Sequence, residues 1–332
     1  MSKTLTDIGE FGLIHRIHEL LKKEGVQAPD VTVGIGDDTA SFQPRKGYEQ
    51  LITCDCVVEG RHYLSEFITP LDLGRRAMVM NLSDIGAMGG NPLYALVSLG
   101  LKADMPVTEV EAIYRGFIAE LNPFGASIIG GNITKTMDAT FIDITLIGEV
   151  EQDKLMRRST ARIGDSILVT GYPGQAAAGL RLMQQSKPTK ELRDHPLVRA
   201  FNTPSHRVKE GQAVADSMLA SAMIDTSDGF LGDLGHICQE SGVGALLVQK
   251  QFPLSEDIKQ TAMQLELEPY ELFLQESDDY ELIITCSPEN VAQINSTVAS
   301  VSDVAVTEVG SLTDSTGNFQ MIFANGTQRR IK

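Results

Sequence analysis

The sequence is short of basic residues and of long apolar runs. Its 332 residues include 28 Lys and Arg against 44 Asp and Glu, a formal charge of −16. Such an excess of acid repels phosphate backbones and anionic lipids, so we expect neither nucleic acid nor a membrane surface as a partner. No apolar run approaches the roughly 20 residues that a membrane-spanning helix needs. The N-terminal segment also lacks the apolar stretch of a secretory signal.

Cysteine is scarce, occurring only at Cys54, Cys56, Cys238 and Cys286. Cys54 and Cys56 lack the two-residue gap of a zinc knuckle, and the other two cysteines are isolated in the sequence. We therefore expect neither a zinc site nor a disulfide framework. Reduced thiols and the missing signal together predict a cytoplasmic protein.

The common phosphate-binding motifs are also absent. Gly34-Ile35-Gly36 has no third glycine at the dinucleotide-binding spacing, and no glycine precedes Lys135 as a P-loop requires. No kinase-type catalytic loop is present, and no residue pattern marks a protein nucleophile. These absences exclude the best-known nucleotide folds without excluding phosphate chemistry.

The composition that remains is that of a globular protein, with 42% hydrophobic and 22% charged residues. The length favours two domains, and we place their boundary near residue 158, which gives domains 1–158 and 159–332. Apolar spacing predicts that both domains mix helices and strands, as α/β or α+β folds. Predicted strands are 31–35, 51–58, 93–101, 139–150, 166–170, 223–225, 245–248 and 282–286, and predicted helices are 9–22, 73–88, 110–121, 175–185, 209–222, 228–241, 255–267 and 290–298.

Several acidic residues share one local setting, in or just after an apolar segment and beside Gly or Ser. They are Asp37, Asp38, Asp55, Asp84, Asp225 and Asp228. Carboxylates placed in this way can converge on a cation while backbone N–H groups approach phosphate oxygens. Because Mg²⁺ takes one or two carboxylates together with phosphate oxygens, this pattern suits one or more Mg²⁺ ions.

Each acidic motif has a simpler explanation when it is taken alone. Gly36-Asp37-Asp38 fits an ordinary turn, and Asp225 and Asp228 fit the start of a helix. The recurrence of the pattern favours the functional interpretation. The residues alone thus indicate an enzyme that acts on phosphate with Mg²⁺.

The ordered set of motifs resembles the thiamine-monophosphate kinase family of the aminoimidazole-ribonucleotide-synthetase-like superfamily, over about residues 8 to 286. The matching segments are 34–38, Asp55 with 59–63, 81–84 with 87–89 and Pro92, Gly130-Gly131, Arg158-Ser159 with Gly164-Asp165, and 225–229. The resemblance implies an N-terminal mixed-sheet domain that pairs with a second subunit, and a C-terminal α/β domain. It also implies ATP and Mg²⁺, with direct transfer of the γ-phosphate onto thiamine monophosphate, in a homodimer.

The resemblance also implies roles for individual residues. The implied magnesium ligands are Asp37, Thr53, Cys54, Asp55, Asp84, Asn132, Asp225 and Asp228, of which Asp37, Asp84 and Asp225 are the implied catalytic residues. Implied nucleotide contacts are Tyr114, Gly131, Asn132, Arg158 and Ser227, and implied substrate contacts are His62 and Asp278. Without the resemblance, Tyr114 fits a helix-face aromatic residue and His62 an ordinary histidine.

The chain departs from the family pattern at four places. Asn132 stands where the family has an Asp, and Cys54 stands where it has a Thr, so weaker magnesium binding is expected. Segment 276–282, Glu-Ser-Asp-Asp-Tyr-Glu-Leu, replaces Gly-Gly-Glu-Asp-Tyr-Glu-Leu. The family's C-terminal aromatic segment has no counterpart after Phe323. The ATP side of the expected site is thus largely kept, whereas the thiamine side is altered.

Three hypotheses follow from the sequence. The first is an ATP- and Mg²⁺-dependent thiamine-monophosphate kinase. The second is another ATP-dependent enzyme of the same superfamily with a different acceptor, which the altered 276–279 segment motivates. The third is a nucleotide-binding regulator that has lost catalysis, which Cys54 and Asn132 motivate. The kinase ranks first because a chain without catalysis would have little reason to keep so many acidic motifs together.

Overall fold

The computed structural model describes residues 3–24, 30–33, 35 and 39–331. The chain divides into a first unit, Met1–Ile85 with Asn91–Gln152, and a second unit, Gly86–Gly90 with Asp153–Lys332. Both units combine helices with a sheet, which confirms the prediction of two mixed domains. The domain boundary near residue 158 stays a prediction.

The first unit is built around a four-stranded sheet. Its elements in chain order are α1 (Leu5–Lys23), β1 (Val31–Val33), β2 (Ser41–Phe42), β3 (Tyr48–Val58), α2 (Pro70–Ala87), β4 (Asn91–Lys102), α3 (Val107–Leu121), β5 (Ser127–Thr136) and β6 (Phe141–Glu151). The strand order is β3-β6-β4-β5, in which β4 and β5 are parallel and the other pairs antiparallel. The sheet is therefore mixed, and β3 lies at its edge.

The two faces of this sheet differ in exposure. On β6, Ile142, Ile144 and Leu146 are buried, whereas the alternate residues are only half-buried. This alternation is typical of a sheet with one covered face. We call the two sides the buried face and the open face.

Helices α2 and α3 cross in close backbone contact. A Cβ atom on Gly74 would lie 2.0 Å from the carbonyl oxygen of Ile113, and one on Gly116 would lie 2.2 Å from that of Leu71. Only glycine allows so close an approach. This crossing fixes the position of α2, which carries Asp84.

The second unit contains a seven-stranded sheet and eight helices within the described residues. Its elements are β7 (Ser166–Thr170), α4 (Gln175–Gln184), α5 (Lys190–Arg193), α6 (Pro196–Asn202), α7 (Val208–Ser217), β8 (Ala220–Asp225), α8 (Phe230–Ser241), β9 (Gly244–Val248), α9 (Glu256–Gln264), α10 (Pro269–Leu274), β10 (Leu282–Cys286), α11 (Val291–Ala299), β11 (Val306–Thr313), β12 (Phe319–Ile322) and β13 (Gln328–Arg330). The strand order is β13-β12-β9-β11-β7-β10-β8, antiparallel except for β9 with β12.

Both faces of this second sheet are covered. Ile167 and Val169 of β7 pack into a cluster with Phe230 of α8, whereas Leu168 packs on the other side with Val214 of α7. All five residues of β7 and of β10 are buried. Burial on both faces explains why the central strands β7 and β10 are mostly apolar along their whole length.

Several observed elements differ from the predicted ones or were not predicted. The helix predicted over 209–222 ends at Ser217, and Ala220–Ala222 belong to β8, which pairs with β10. Strand β5 continues through Gly130 and Gly131 to Thr136. The prediction missed α10 and the strands after residue 305. Among helices of the described part of the chain, none is both long and apolar enough to cross a bilayer.

Candidate functional site

Oxygen-bearing side chains of β3 and α2 meet on the buried face of the first sheet. Thr53 and Asp55 are two residues apart, so they point to the same side as their buried cross-strand partners Leu146 and Ile144. The hydroxyl of Thr53 donates a hydrogen bond to Oδ2 of Asp84. The structure thus brings together three of the predicted magnesium ligands, and we call Thr53, Asp55 and Asp84 the acid group of the first unit.

Asn81, one turn before Asp84, links α2 to β3 through hydrogen bonds of its side-chain amide. Its Oδ1 accepts from the backbone N–H of Asp55 at 3.2 Å, and its Nδ2 donates to the carbonyl of Ala77 at 3.2 Å. Asn81 is completely buried. No role was predicted for Asn81, although its spacing of three residues from Asp84 places both side chains on one helix face.

The acid group carries unfavourable charge. Burial, the nearby charge of Asp84 and a hydrogen bond with that carboxylate together raise the pKa of Asp55 to about 6, whereas His62 acts in the opposite direction. Two carboxylates with a hydroxyl offer the oxygen ligands that Mg²⁺ prefers. A divalent cation between them would relieve their repulsion, so these residues fit a magnesium site.

His62 lies on the turn that follows β3 and is held by Val58. The backbone N–H of Val58 donates to Nδ1 of His62 at 3.1 Å, and the N–H of His62 donates to the carbonyl of Val58 at 2.9 Å. The imidazole orientation is thereby fixed. His62 is close enough to lower the pKa of Asp55, so the predicted substrate contact lies near the acid group.

Cys54 and Asn132 lie on the open face, away from the acid group. Cys54 sits between Thr53 and Asp55, and successive strand residues point to opposite faces. Its thiol donates to Oδ1 of Asp143 at 3.1 Å. Asn132 aligns with Ser98, which aligns with Asp143, so it shares this face. Within this unit Cys54 and Asn132 therefore lie on the opposite face of the sheet from Asp55 and Asp84, and their role as magnesium ligands stays a prediction.

Three predicted nucleotide contacts line one small cavity in the first unit. Tyr114, Gly131 and Asn132 border a space of about 70 Å³, whose other walls are Ile14, Ile17, Ile35, Ile128, Gly130 and Ile133. Tyr114 is buried against the edge of Phe117, with ring centroids 5.2 Å apart. A Cβ on Gly131 would lie 1.9 Å from the carbonyl oxygen of Val97. The walls of this cavity are mainly apolar.

In the second unit, strand β8 ends at Asp225 and leads through 226–229 into α8. Asp225 is buried, and Ser227 and Asp228 are exposed. The backbone N–H groups of Ser227 and Asp228 donate to Oδ2 of Asp233 at 3.0 and 3.1 Å. Ligand atoms of Asp228, Asp233 and His236 lie within 4.8 Å of one another. The sequence analysis missed Asp233 and His236, which the spacing of three on one helix could have indicated.

Asp233 is in a different electrostatic setting from Asp55. Burial raises its pKa to about 7 and the charge of Asp228 contributes, whereas the two backbone N–H groups and Arg158 lower it. Arg158 therefore lies near the start of α8, and its role as a nucleotide contact stays a prediction. The structure collects Arg158, Ser227 and Asp228 around one helix N-terminus, where phosphate oxygens are favoured.

The altered segment near residue 278 is tied to the rest of the second unit by its neighbours. Ser277 and Asp279 accept hydrogen bonds from backbone N–H groups at the start of α4. Glu281 forms a two-pronged ion pair with Arg207, with both N–O distances 2.6 Å. Asp278 is half-buried between Ser277 and Asp279. The remaining predicted site residue, Asp37, lies outside the described residues.

Comparison with known proteins matches both units to one family. Residues 36–150 match the N-terminal domain of AIR synthase related proteins, and residues 162–321 match the C-terminal domain. Thiamine-monophosphate kinase of Aquifex aeolicus is 34% identical over 281 residues, which cover 85% of this chain and 87% of that protein.

Solved structures agree with the sequence relatives. The crystal structure of thiamine-monophosphate kinase from Stenotrophomonas maltophilia is 30% identical, with a TM-score of 0.82, covering 95% of this chain and 96% of that one. The structure of AaThiL complexed with AMPPCP and TMP is 29% identical, with a TM-score of 0.75, covering 100% and 98%. The chain, which carries both AIR synthase related domains, therefore belongs to the thiamine-monophosphate kinase family.

Proposed function

We propose that this protein is an ATP- and Mg²⁺-dependent kinase that phosphorylates thiamine monophosphate to thiamine diphosphate. The observation that carries the proposal is the acid group of the first unit, which Thr53, Asp55 and Asp84 form in a chain 34% identical to a thiamine-monophosphate kinase over most of both lengths. Two neighbouring carboxylates with a hydroxyl suit a divalent cation, and phosphoryl transfer between two polyanions needs one.

In the first unit, the residues that hold Mg²⁺ are Thr53, Asp55 and Asp84, with Asp37 as a further proposed ligand. In the second unit, Asp225 and Asp228 are the proposed magnesium ligands. When bound, Mg²⁺ neutralises phosphate charge and orients the transferred group. The raised pKa of Asp55, about 6, means that protons compete with the cation at mildly acidic pH.

The proposed ATP contacts form two groups, one in each unit. Tyr114 and Gly131 supply an apolar wall for the base, and Asn132 borders the same cavity. Arg158 and Ser227 serve the phosphates, because a guanidinium and a hydroxyl both donate hydrogen bonds to phosphate oxygens. A solved relative complexed with AMPPCP and TMP supports a site for both a nucleotide and the acceptor in this family.

His62 and Asp278 are the proposed acceptor contacts. His62 is held in one orientation by Val58, so it can bind an acceptor without first being ordered. The acceptor phosphate is itself the nucleophile, so the reaction needs no side chain that acts as a general base. Catalysis then consists of alignment and charge neutralisation, with transfer in line and without a covalent enzyme intermediate.

We also propose that two copies of the chain pair through the open face of the first sheet. Ile52 is 70% exposed on this face, beside exposed Cys54, Cys56 and Leu96. An apolar strip of this kind on a sheet is typical of an interaction surface. Sedimentation velocity should give the mass of a dimer, and Ile52→Lys should give the monomer.

The test of the function is product formation with purified protein. With ATP, Mg²⁺ and thiamine monophosphate, the wild type should form thiamine diphosphate, and Asp84→Asn should form almost none. The matched control is Asp194→Asn, an exposed Asp of the second unit that ends α5, which should keep wild-type turnover.

Two other outcomes would support the competing hypotheses. ATP turnover with another phosphate acceptor, and none with thiamine monophosphate, would favour a different enzyme of the superfamily. Tight ATP binding without any turnover would favour a regulator. The altered 276–279 segment motivates the first of these outcomes, and Cys54 and Asn132 motivate the second.

A further inference from the structure

The segment 275–281, which we call the acceptor loop, caps a helix that is 100 residues away in the sequence. The backbone N–H groups of Gly174 and Ala176 donate to the two carboxylate oxygens of Asp279, at 2.6 and 2.8 Å. The N–H of Ala177 donates to the hydroxyl of Ser277 at 2.9 Å. Three amides at the start of α4 are thus satisfied by two side chains of one loop.

Helix α4 cannot cap itself. Its N-cap residue is Gly174, which has no side chain and a φ of 94°. A Cβ at this position would lie 2.5 Å from the carbonyl oxygen of Leu272, so no capping side chain fits there. The acceptor loop supplies the missing cap, and Asp279 adds a negative charge at the positive end of the helix.

The other end of the acceptor loop is bonded to the segment that carries Asp225, Ser227 and Asp228. The N–H of Tyr280 donates to the carbonyl of Thr226 at 2.8 Å, and the N–H of Thr226 donates to the carbonyl of Glu281 at 2.8 Å. The hydroxyl of Thr226 also accepts from the N–H of Glu281 at 3.0 Å.

The start of the loop is held just as closely. A Cβ on Gly229 would lie 2.4 Å from the carbonyl oxygen of Gln275. Tyr280, which is buried, has a φ of 54°, a left-handed backbone that a non-glycine residue keeps only where its surroundings enforce it. The loop is therefore held to α4 on one side and to 226–229 on the other.

Asp278, the proposed acceptor contact, lies between these two bonded residues of the loop. Its neighbours Ser277 and Asp279 are 4% and 9% exposed and point towards α4, whereas Asp278 is half-buried. Because both neighbours are bonded, the backbone of Asp278 has little freedom relative to the segment with Ser227 and Asp228.

We propose that Ser277 and Asp279 are positioning residues for the phosphate acceptor, because they hold Asp278 in place by capping α4. This inference rests on the proposed function, in which Asp278 contacts thiamine monophosphate. It predicts that loss of the cap weakens acceptor binding and leaves ATP binding unchanged.

The experiment compares Ser277→Ala and Ser277→Thr with the wild type. Removing one neutral hydrogen bond should weaken acceptor binding by about fivefold, seen as a higher KM for thiamine monophosphate with less than a twofold change in the KM for ATP. Ser277→Thr keeps the hydroxyl and should restore the wild-type value. Thr189→Ala is the matched control, because Thr189 caps α5 through the N–H of Leu192 at 3.2 Å, in the same unit but away from the loop.

Two measurements separate this inference from the proposed function. Amide hydrogen exchange at Gly174, Ala176 and Ala177 should speed up in Ser277→Ala, whether or not the protein turns over substrate. Calorimetry with thiamine monophosphate in the presence of Mg²⁺ and a non-hydrolysable ATP analogue should show the same fivefold loss of affinity.

The outcomes are then distinct. A wild type that binds thiamine monophosphate without phosphorylating it would count against the proposed function alone. Faster exchange with unchanged acceptor affinity, an equal loss of affinity for ATP and acceptor, or unchanged exchange would each overturn the positioning role of Ser277.

Discussion

Two acids with raised pKa values, the half-buried Asp55 of the first unit and the buried Asp233 of the second, lie in different surroundings. Asp55 faces another carboxylate, Asp84, and burial together with this charge raises its pKa to about 6. Asp233 has a higher pKa, about 7, although it accepts hydrogen bonds from two backbone N–H groups and lies near Arg158. A cation would offset the repulsion between Asp55 and Asp84, whereas Asp233 already receives hydrogen bonds from the protein itself. This difference predicts which acids depend on Mg²⁺.

The largest effect is expected at the acid group of the first unit. Asp55→Asn and Asp84→Asn should each lower kcat/KM for product formation by about a thousandfold, because they remove ligands for a cation worth several kcal/mol to the reaction.

Without Mg²⁺, Asp55→Asn should raise the Tm by about 2 °C, since it removes charge repulsion worth about 1 kcal/mol after allowance for solvent screening. Lower activity together with a higher Tm distinguishes a charged ligand from a structural residue. A lower Tm in both variants would contradict this account.

A smaller loss is expected in the second unit. Asp228→Asn should lower activity by about tenfold and leave the Tm without Mg²⁺ within about 1 °C, because Asp228 is exposed. Differential scanning fluorimetry with and without Mg²⁺ checks this comparison. If Mg²⁺ stabilises the wild type no more than Asp55→Asn, the first group is not the main cation site.

Two neighbouring residues of β3 that point to opposite faces of the sheet should differ in their effect on activity. Thr53→Ala should lower activity about tenfold, because Thr53 donates to Asp84. Cys54→Ser should change it less than twofold, because Cys54 lies on the open face beside Asp143. Steady-state assays at saturating Mg²⁺ measure both. Equal losses in the two variants would mean that the open face takes part in the same site.

The last prediction concerns the pH dependence of stability at Asp233, which involves no change in activity. Its folded pKa of about 7 lies above the usual value of 3.8, so its contribution to stability is complete below pH 4 and is lost as the pH rises through 7. Each pKa unit is worth about 1.4 kcal/mol, so the Tm should fall by a few degrees between pH 5 and 8. Asp233→Asn keeps an acceptor oxygen and should flatten this part of the profile. An unchanged profile would show that Asp233 is ionised throughout.

Much of the fold was predictable because local pattern and tertiary structure agree. The apolar spacing of α2 and α3 and the alternation of β6 gave these elements close to their observed bounds. Segment 218–222, Met-Leu-Ala-Ser-Ala, was predicted as helix because these residues favour helix, yet it leads into β8 since pairing with β10 overrides local propensity. Strand β5 runs through Gly130 and Gly131, and at Gly131 only glycine fits against the backbone of Val97.

The sequence predicted which residues belong to the candidate site better than it predicted how they are placed. Thr53, Asp55 and Asp84 were identified from their motifs, and the structure brings them together. The placement of Cys54 and Asn132 on the opposite face could not be read from those motifs, because it depends on strand register across the whole sheet. Ser277 and Asp279 reach α4 over about a hundred residues of sequence, a contact that no local pattern reveals.

The central claim, that the acid group of the first unit works through a cation, is tested most directly by a Mg²⁺ titration of thiamine diphosphate formation. The wild type should show no product without Mg²⁺ and a saturable rise with it, and Asp84→Asn should stay inactive at every concentration. Product formed without any divalent cation, or a wild-type rate in Asp84→Asn, would contradict the claim.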